Sequence, residues 1–85
     1  IREDKSSADA AVKIFPNPAT DILYLQSEDA MEKISLYTIT GHWLQDFHPD
    51  GNIASLPVDY LPAGTYLCVI TRKNGITVRP WQKFR

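Results

Sequence analysis

Short runs of β-branched and aromatic residues, cut apart by chemically explicit turn residues, constrain this chain more than any other feature. Such runs read as strands when Gly, Pro, Asn and Asp punctuate them. The runs fall at residues 12–15, 22–26, 33–39, 43–47, 52–56, 65–72 and 76–84. Pro16-Asn17-Pro18 ends the first, because neither proline can donate a ladder hydrogen bond. Thr40-Gly41 and Asp50-Gly51 each supply a reversal. Asn74-Gly75 reads as the centre of a type I′ hairpin turn, which needs two positive φ values. Leu61-Pro62-Ala63-Gly64 fits a type I turn with proline second and glycine fourth.

No window long enough for a stable helix carries a helical period, and the best candidate, residues 27–33, is too short. Leu23 and Leu25 share one face of their run, and Ile34 and Leu36 share one face of theirs. Residues 65–71 are apolar on both faces, as expected of a central, covered strand. Short strands at intervals of roughly 8–12 residues point to an all-β, Ig-like antiparallel sandwich of about seven strands. Residues 1–11 are polar and aperiodic, a linker, and residues 12–85 form the domain.

Size and charge narrow the function. At 85 residues the chain is one small domain with a thin core. A net charge of −1 argues against a nucleic-acid binder, which should be clearly basic. One cysteine excludes an internal disulfide framework. No apolar run reaches the roughly 20 residues of a membrane helix, so direct membrane insertion is not expected. The chain opens without a charged-then-apolar leader, so a longer precursor is expected upstream.

The candidate chemical groups are scattered. His42 and His48 read as loop residues rather than a metal pair. Cys68 lies in the most apolar run and reads as a core thiol, not a nucleophile. Asp21, Asp46, Asp50 and Asp59 read as turn-capping carboxylates. Neither cofactor nor metal nor catalysis is expected. Trp43 is expected to be at least partly buried. Trp81 alternates with Arg79 and Lys83, which suggests an aromatic-basic stripe on an edge strand, to which Pro80 confines this run.

Four blocks, in order, resemble a known family. Phe15-Pro16-Asn17-Pro18-Ala19-Thr20-Asp21-Ile22-Leu23 is similar to the opening motif of the C-terminal sorting domains of the type IX secretion system. Residues 34–41, ending at Gly41, resemble its second motif. Leu61-Pro62-Ala63-Gly64-Thr65-Tyr66-Leu67 resembles its third, and Gln82-Lys83-Phe84-Arg85 its basic-apolar-basic ending. Thr40 and His42 flank Gly41 where the family commonly has Asp or Asn before the glycine and Arg after it.

The resemblance implies an address rather than a catalyst. Such a domain is covalently part of an upstream exported cargo protein in certain Gram-negative bacteria. It passes through the periplasm and directs the cargo through the outer-membrane translocon to the cell surface or medium. A surface sortase-like peptidase then typically cuts ahead of the domain, here in or beside residues 1–11, and anchors the cargo. Lys83, Phe84 and Arg85 are the expected translocon-recognition residues, and the last strand is expected to dock as an open edge. A small adhesive or carbohydrate-binding module is the alternative, favoured if Trp43 and Trp81 lie exposed on one flat face.

Overall fold

The computed structural model describes residues 12–73 and 75–85. The expected linker and Asn74 lie outside the described residues. Within them the chain is all strand and turn, with no helix. Six strands form an antiparallel sheet: β1 (Val12–Phe15), β2 (Ile22–Thr38), β3 (Trp43–Phe47), β4 (Gly51–Pro57), β5 (Gly64–Arg72) and β6 (Gly75–Lys83).

The count is six rather than about seven because two expected strands are one. β2 runs through the polar stretch at 27–32 that lay between them. Its buried positions are Leu23, Leu25, Ser27 and Met31, then Ile34, Ser35 and Leu36. The phase of alternation therefore flips in the middle. Register shifts sit at that point, between Gln26 and Met31 toward β4 and between Met31 and Lys33 toward β5. An irregularity of this kind bends a strand and re-aims its side chains.

The bend gives β2 two sets of neighbours. Its first half pairs with β1 and β4, and its second half with β3 and β5, with β6 beyond β5. Both wings feed one core: Val12, Leu23, Leu25 and Leu56 from the first, Ile34, Leu36, Tyr66, Cys68, Ile70 and Trp81 from the second. A single core shared by both halves of the bent sheet is compatible with the packing of a sandwich.

The turn residues act much as their chemistry dictates. Thr38 N–H donates to the His42 carbonyl (2.8 Å) and Gly41 N–H to the Thr38 carbonyl (2.9 Å). Gly41 has φ +100°, so the β2–β3 connection is a three-residue loop with glycine in the left-handed position. Two turns differ from expectation. Gly75 pairs with Arg72 and so begins the β6 ladder instead of lying at the turn centre. Before β5, the backbone turn bond closes from Leu61 N–H to the Val58 carbonyl (3.0 Å), three residues earlier than the Leu61–Gly64 turn.

Gly64 opens β5 at φ +154°, and a Cβ there would meet nothing within 4 Å. The cost of a side chain is thus backbone conformation alone, without a clash. Gly64→Val should lower stability by more than ~1 kcal/mol, read as a lower urea midpoint at unchanged slope. An unchanged midpoint would show that this backbone tolerates a side chain.

Candidate functional site

The four sequence motifs converge on one end of the β5–β6 wing. Thr38, which leads into the Gly41 loop, pairs with Tyr66, and Tyr66 pairs with Trp81. Gly64 pairs with Lys83, and Lys83 forms a parallel bridge with Ala19. Segments separated by as many as 64 positions, from Ala19 to Lys83, thus lie on neighbouring ladder positions.

Each motif has a local physical task there. Tyr66 is buried and stacks on Trp81, with ring centroids 5.1 Å apart. Its hydroxyl donates to the Pro62 carbonyl (2.6 Å), so the tyrosine ties its own strand to the preceding loop. Leu61 enters the core beside that loop. The Asp21 carbonyl accepts from Val58 N–H (2.8 Å), fixing the start of β2 against the end of β4. Pro16, Asn17 and Pro18 are exposed, and both proline peptide bonds are cis. Asn17 Oδ1 accepts from Gln82 N–H (2.9 Å). Ala19, fully buried, donates its N–H to the Gln82 carbonyl (2.8 Å) and accepts from Phe84 N–H (2.7 Å).

The terminal residues do not share one environment. Lys83 is only 3% exposed, and its ammonium donates to the Arg85 carbonyl. The even-numbered residues of β6 lie on its exposed face, and Thr77, Trp81 and Lys83 on its buried face, which turns Lys83 inward with Trp81. Phe84 and Arg85 are exposed, with the guanidinium 5.1 Å from the Phe84 ring centre. Arg79 is half-buried and donates to the Val12 carbonyl (2.6 Å). The expected basic stripe therefore reduces to one exposed cation at the tip, Arg85.

The tryptophans also exchange places relative to expectation. Trp81 is 1% exposed and central to the core, whereas Trp43 is 58% exposed. They share no surface. Trp43 Nε1–H donates to Asp46 Oδ1 (2.8 Å), and Ser35 Oγ–H donates to the same oxygen (2.6 Å). Asp46 thus sits within β3, holding two strands together, and caps no turn. The Ser35 hydroxyl and then the indole N–H hold its carboxyl below the usual range.

One polar network had no counterpart in the sequence reading. Arg72, buried at the end of β5, donates to Asp29 Oδ1 (2.8 Å) and to Thr77 Oγ1 (3.0 Å). Ser27 Oγ–H donates to the same Asp29 oxygen (2.9 Å). The Arg72 hydrogen bond is the main reason that the Asp29 carboxyl lies below its ordinary range. The network stands where β2 bends, so the polar stretch between the two expected strands is where the two wings meet. Its only sequence signal was a Ser-x-Asp pair inside an otherwise strand-like segment.

Cys68 is fully buried, and that burial pushes its thiol up to about 12. A thiol so protonated is a poor nucleophile at neutral pH. His42 is exposed beside Thr40 and Thr38, and His48 is exposed after β3. Among the described residues, no group of three or more His, Cys, Asp and Glu is placed to hold a metal ion.

Fold and site together define a small antiparallel β-domain whose marked residues are loops, an edge cap and a terminal strand. The chain matches the secretion system C-terminal sorting domain over residues 13–82 and belongs to that family, the sorting tail of the type IX secretion system. It is accordingly a C-terminal sorting signal of an exported protein. A comparison with curated proteins finds no match. The family match ends at Gln82, just before Lys83, Phe84 and Arg85.

Proposed function

We propose that this domain carries its cargo to the outer-membrane translocon as a folded address, and that a surface sortase-like peptidase then cuts upstream of Val12 as the cargo is anchored. The domain itself performs no catalysis in this reading. The observation that carries it is the convergence of all four motifs on one end of the β5–β6 wing. A receptor that reads the motifs meets them as a single surface there. Among the described residues Val12 is already paired and its carbonyl is held by Arg79, so a peptidase that needs an unpaired substrate would not cut within β1.

At this end Phe84 and Arg85 are exposed, beside the exposed Pro16, Asn17, Pro18 and Pro62, and Lys83 acts from within the fold. The test fuses residues 1–85 behind a periplasmic reporter in a type IX-competent cell. The fusion should reach the surface, and the reporter without the domain should stay in the periplasm. Arg85→Glu should reduce surface delivery several-fold while the melting midpoint stays unchanged. Surface delivery equal with and without the domain would overturn the reading. Normal delivery by Arg85→Glu would remove the electrostatic part of it.

A further inference from the structure

The two sides of the bent sheet end differently. At the β6 side the final stretch is filled: Ala19 N–H donates to the Gln82 carbonyl and Phe84 N–H to the Ala19 carbonyl. The other side is formed by β3 and β4, and among the described residues each of these pairs with β2 alone. Ser35 of β2 pairs with Asp46 of β3 and with Val69 of β5, so β3 lies across β2 from β5. Met31 pairs with Gly51 of β4 and with Arg72 of β5, so β4 lies on the same side as β3. β3 and β4 together are therefore a free margin of the sheet.

One bond fixes where the backbone groups of β4 point. Val58 N–H donates to the Asp21 carbonyl (2.8 Å), so Val58 faces β2. Facing alternates along an antiparallel ladder, which turns Leu56 and Ala54 toward β2 and Ile53, Ser55 and Pro57 away from it. Pro57, with no N–H, occupies a position where β2 requires none. Ile53 and Ser55 present both N–H and C=O outward, and both side chains are exposed.

A groove and a charge bias accompany this edge. Phe47, His48, Asp50, Ile53 and Leu56 line an open cavity of about 350 Å³ between the end of β3 and β4. Such a volume can receive an apolar side chain from a strand laid along β4. Residues 34–71 contain no Lys or Arg, and their charged side chains are Asp46, Asp50 and Asp59. Edge strands are commonly guarded by lysine. This one has none, and its surroundings are acidic.

We propose that the β4 edge at Ile53 and Ser55 is a docking site for an extended, basic-apolar segment of a partner protein, which joins the sheet as an added strand. The outward backbone groups of Ile53 and Ser55 set its register, and Phe47, Ile53 and Leu56 receive its apolar side chain. Asp50, in the groove, and Asp59, just past the strand, select lysine or arginine over acidic residues. The site lies across β2 from β5 and β6, so it stands apart from the surface where the sorting motifs converge.

The test titrates the chain with a short blocked peptide that alternates lysine and valine, beside a control that alternates glutamate and valine. With the lysine peptide, amide exchange at Ile53 and Ser55 should slow about fivefold or more, while exchange at Val69 stays unchanged. The glutamate peptide should leave all three unchanged. Ser55→Pro removes an outward N–H and should weaken binding about tenfold. Ile53→Lys places a cation on the edge at a side chain that is 65% exposed, and should weaken binding as much even if Ser55→Pro fails to fold. Asp50→Asn combined with Asp59→Asn should weaken it about threefold at low salt. Protection that appears elsewhere than on β4, or undiminished binding by Ile53→Lys, would overturn the site. Equal binding of the two peptides would overturn the basic partner. A chain already dimeric without peptide, with Ile53 and Ser55 protected, would also overturn it, because the edge would then belong to a second copy.

Discussion

Trp81→Ala should cost about 3–5 kcal/mol, the usual penalty for deleting a buried aromatic side chain. A domain of this size has a total stability of only about 5–10 kcal/mol, so the variant should be largely unfolded or melt far lower. The indole is among the largest fully buried side chains and belongs to the core common to both wings. It also stacks on Tyr66, whose hydroxyl anchors the loop before β5. Removing the indole therefore leaves a cavity and frees the tyrosine ring that holds the third motif. Tyr66→Phe is the graded comparison. It keeps the stack and removes only the bond to the Pro62 carbonyl, so it should cost about 1 kcal/mol. Urea unfolding of the three proteins decides the matter. A Trp81→Ala midpoint within error of the parent would mean that the indole is not a core element.

Much of this end of the molecule was readable from residue chemistry. β1, β3 and the outlines of β4, β5 and β6 follow from β-branched runs bounded by turn formers. Pro80 placed its strand on an edge, and β6 is an edge strand. Cys68 reads as a core thiol and is one. What was not readable depended on distant partners. Residues 27–33 carry Ser, Glu, Asp and Lys, which locally signal a break. They are strand because Arg72, over forty positions away, meets Asp29 there. The exchange between Trp43 and Trp81 has the same origin. Both lie in short amphipathic runs, and only the register with Tyr37 and Tyr66 decides which faces inward. The Asn17–Gln82 contact was hidden for a further reason. A single asparagine between prolines has a sufficient local explanation as a turn, and nothing in the sequence points to its long-range bond.

The sharpest separation of structure from recognition lies in two neighbouring cations. Lys83→Glu should cost about 3 kcal/mol, because it places a carboxylate without a partner in a buried position. The lysine stem is buried and its ammonium meets a carbonyl oxygen, so the substituted carboxylate would meet that same oxygen with the wrong sign. Lys83→Met keeps the stem and loses only the hydrogen bond, and should cost about 1 kcal/mol. Arg85→Glu removes an exposed cation resting over an exposed ring, a contact worth about 0.5–1 kcal/mol, and should leave the fold nearly intact. Thermal melts of the three variants should fall in the order Arg85→Glu, Lys83→Met, Lys83→Glu, from highest to lowest. Reversing both charges at once would therefore confuse misfolding with misrecognition. Surface delivery has to be compared at matched folded fraction, with Arg85→Glu as the informative variant and Lys83→Glu as the stability control. If Lys83→Glu melts with the parent, the lysine swings into solvent and its charge becomes available to a receptor after all.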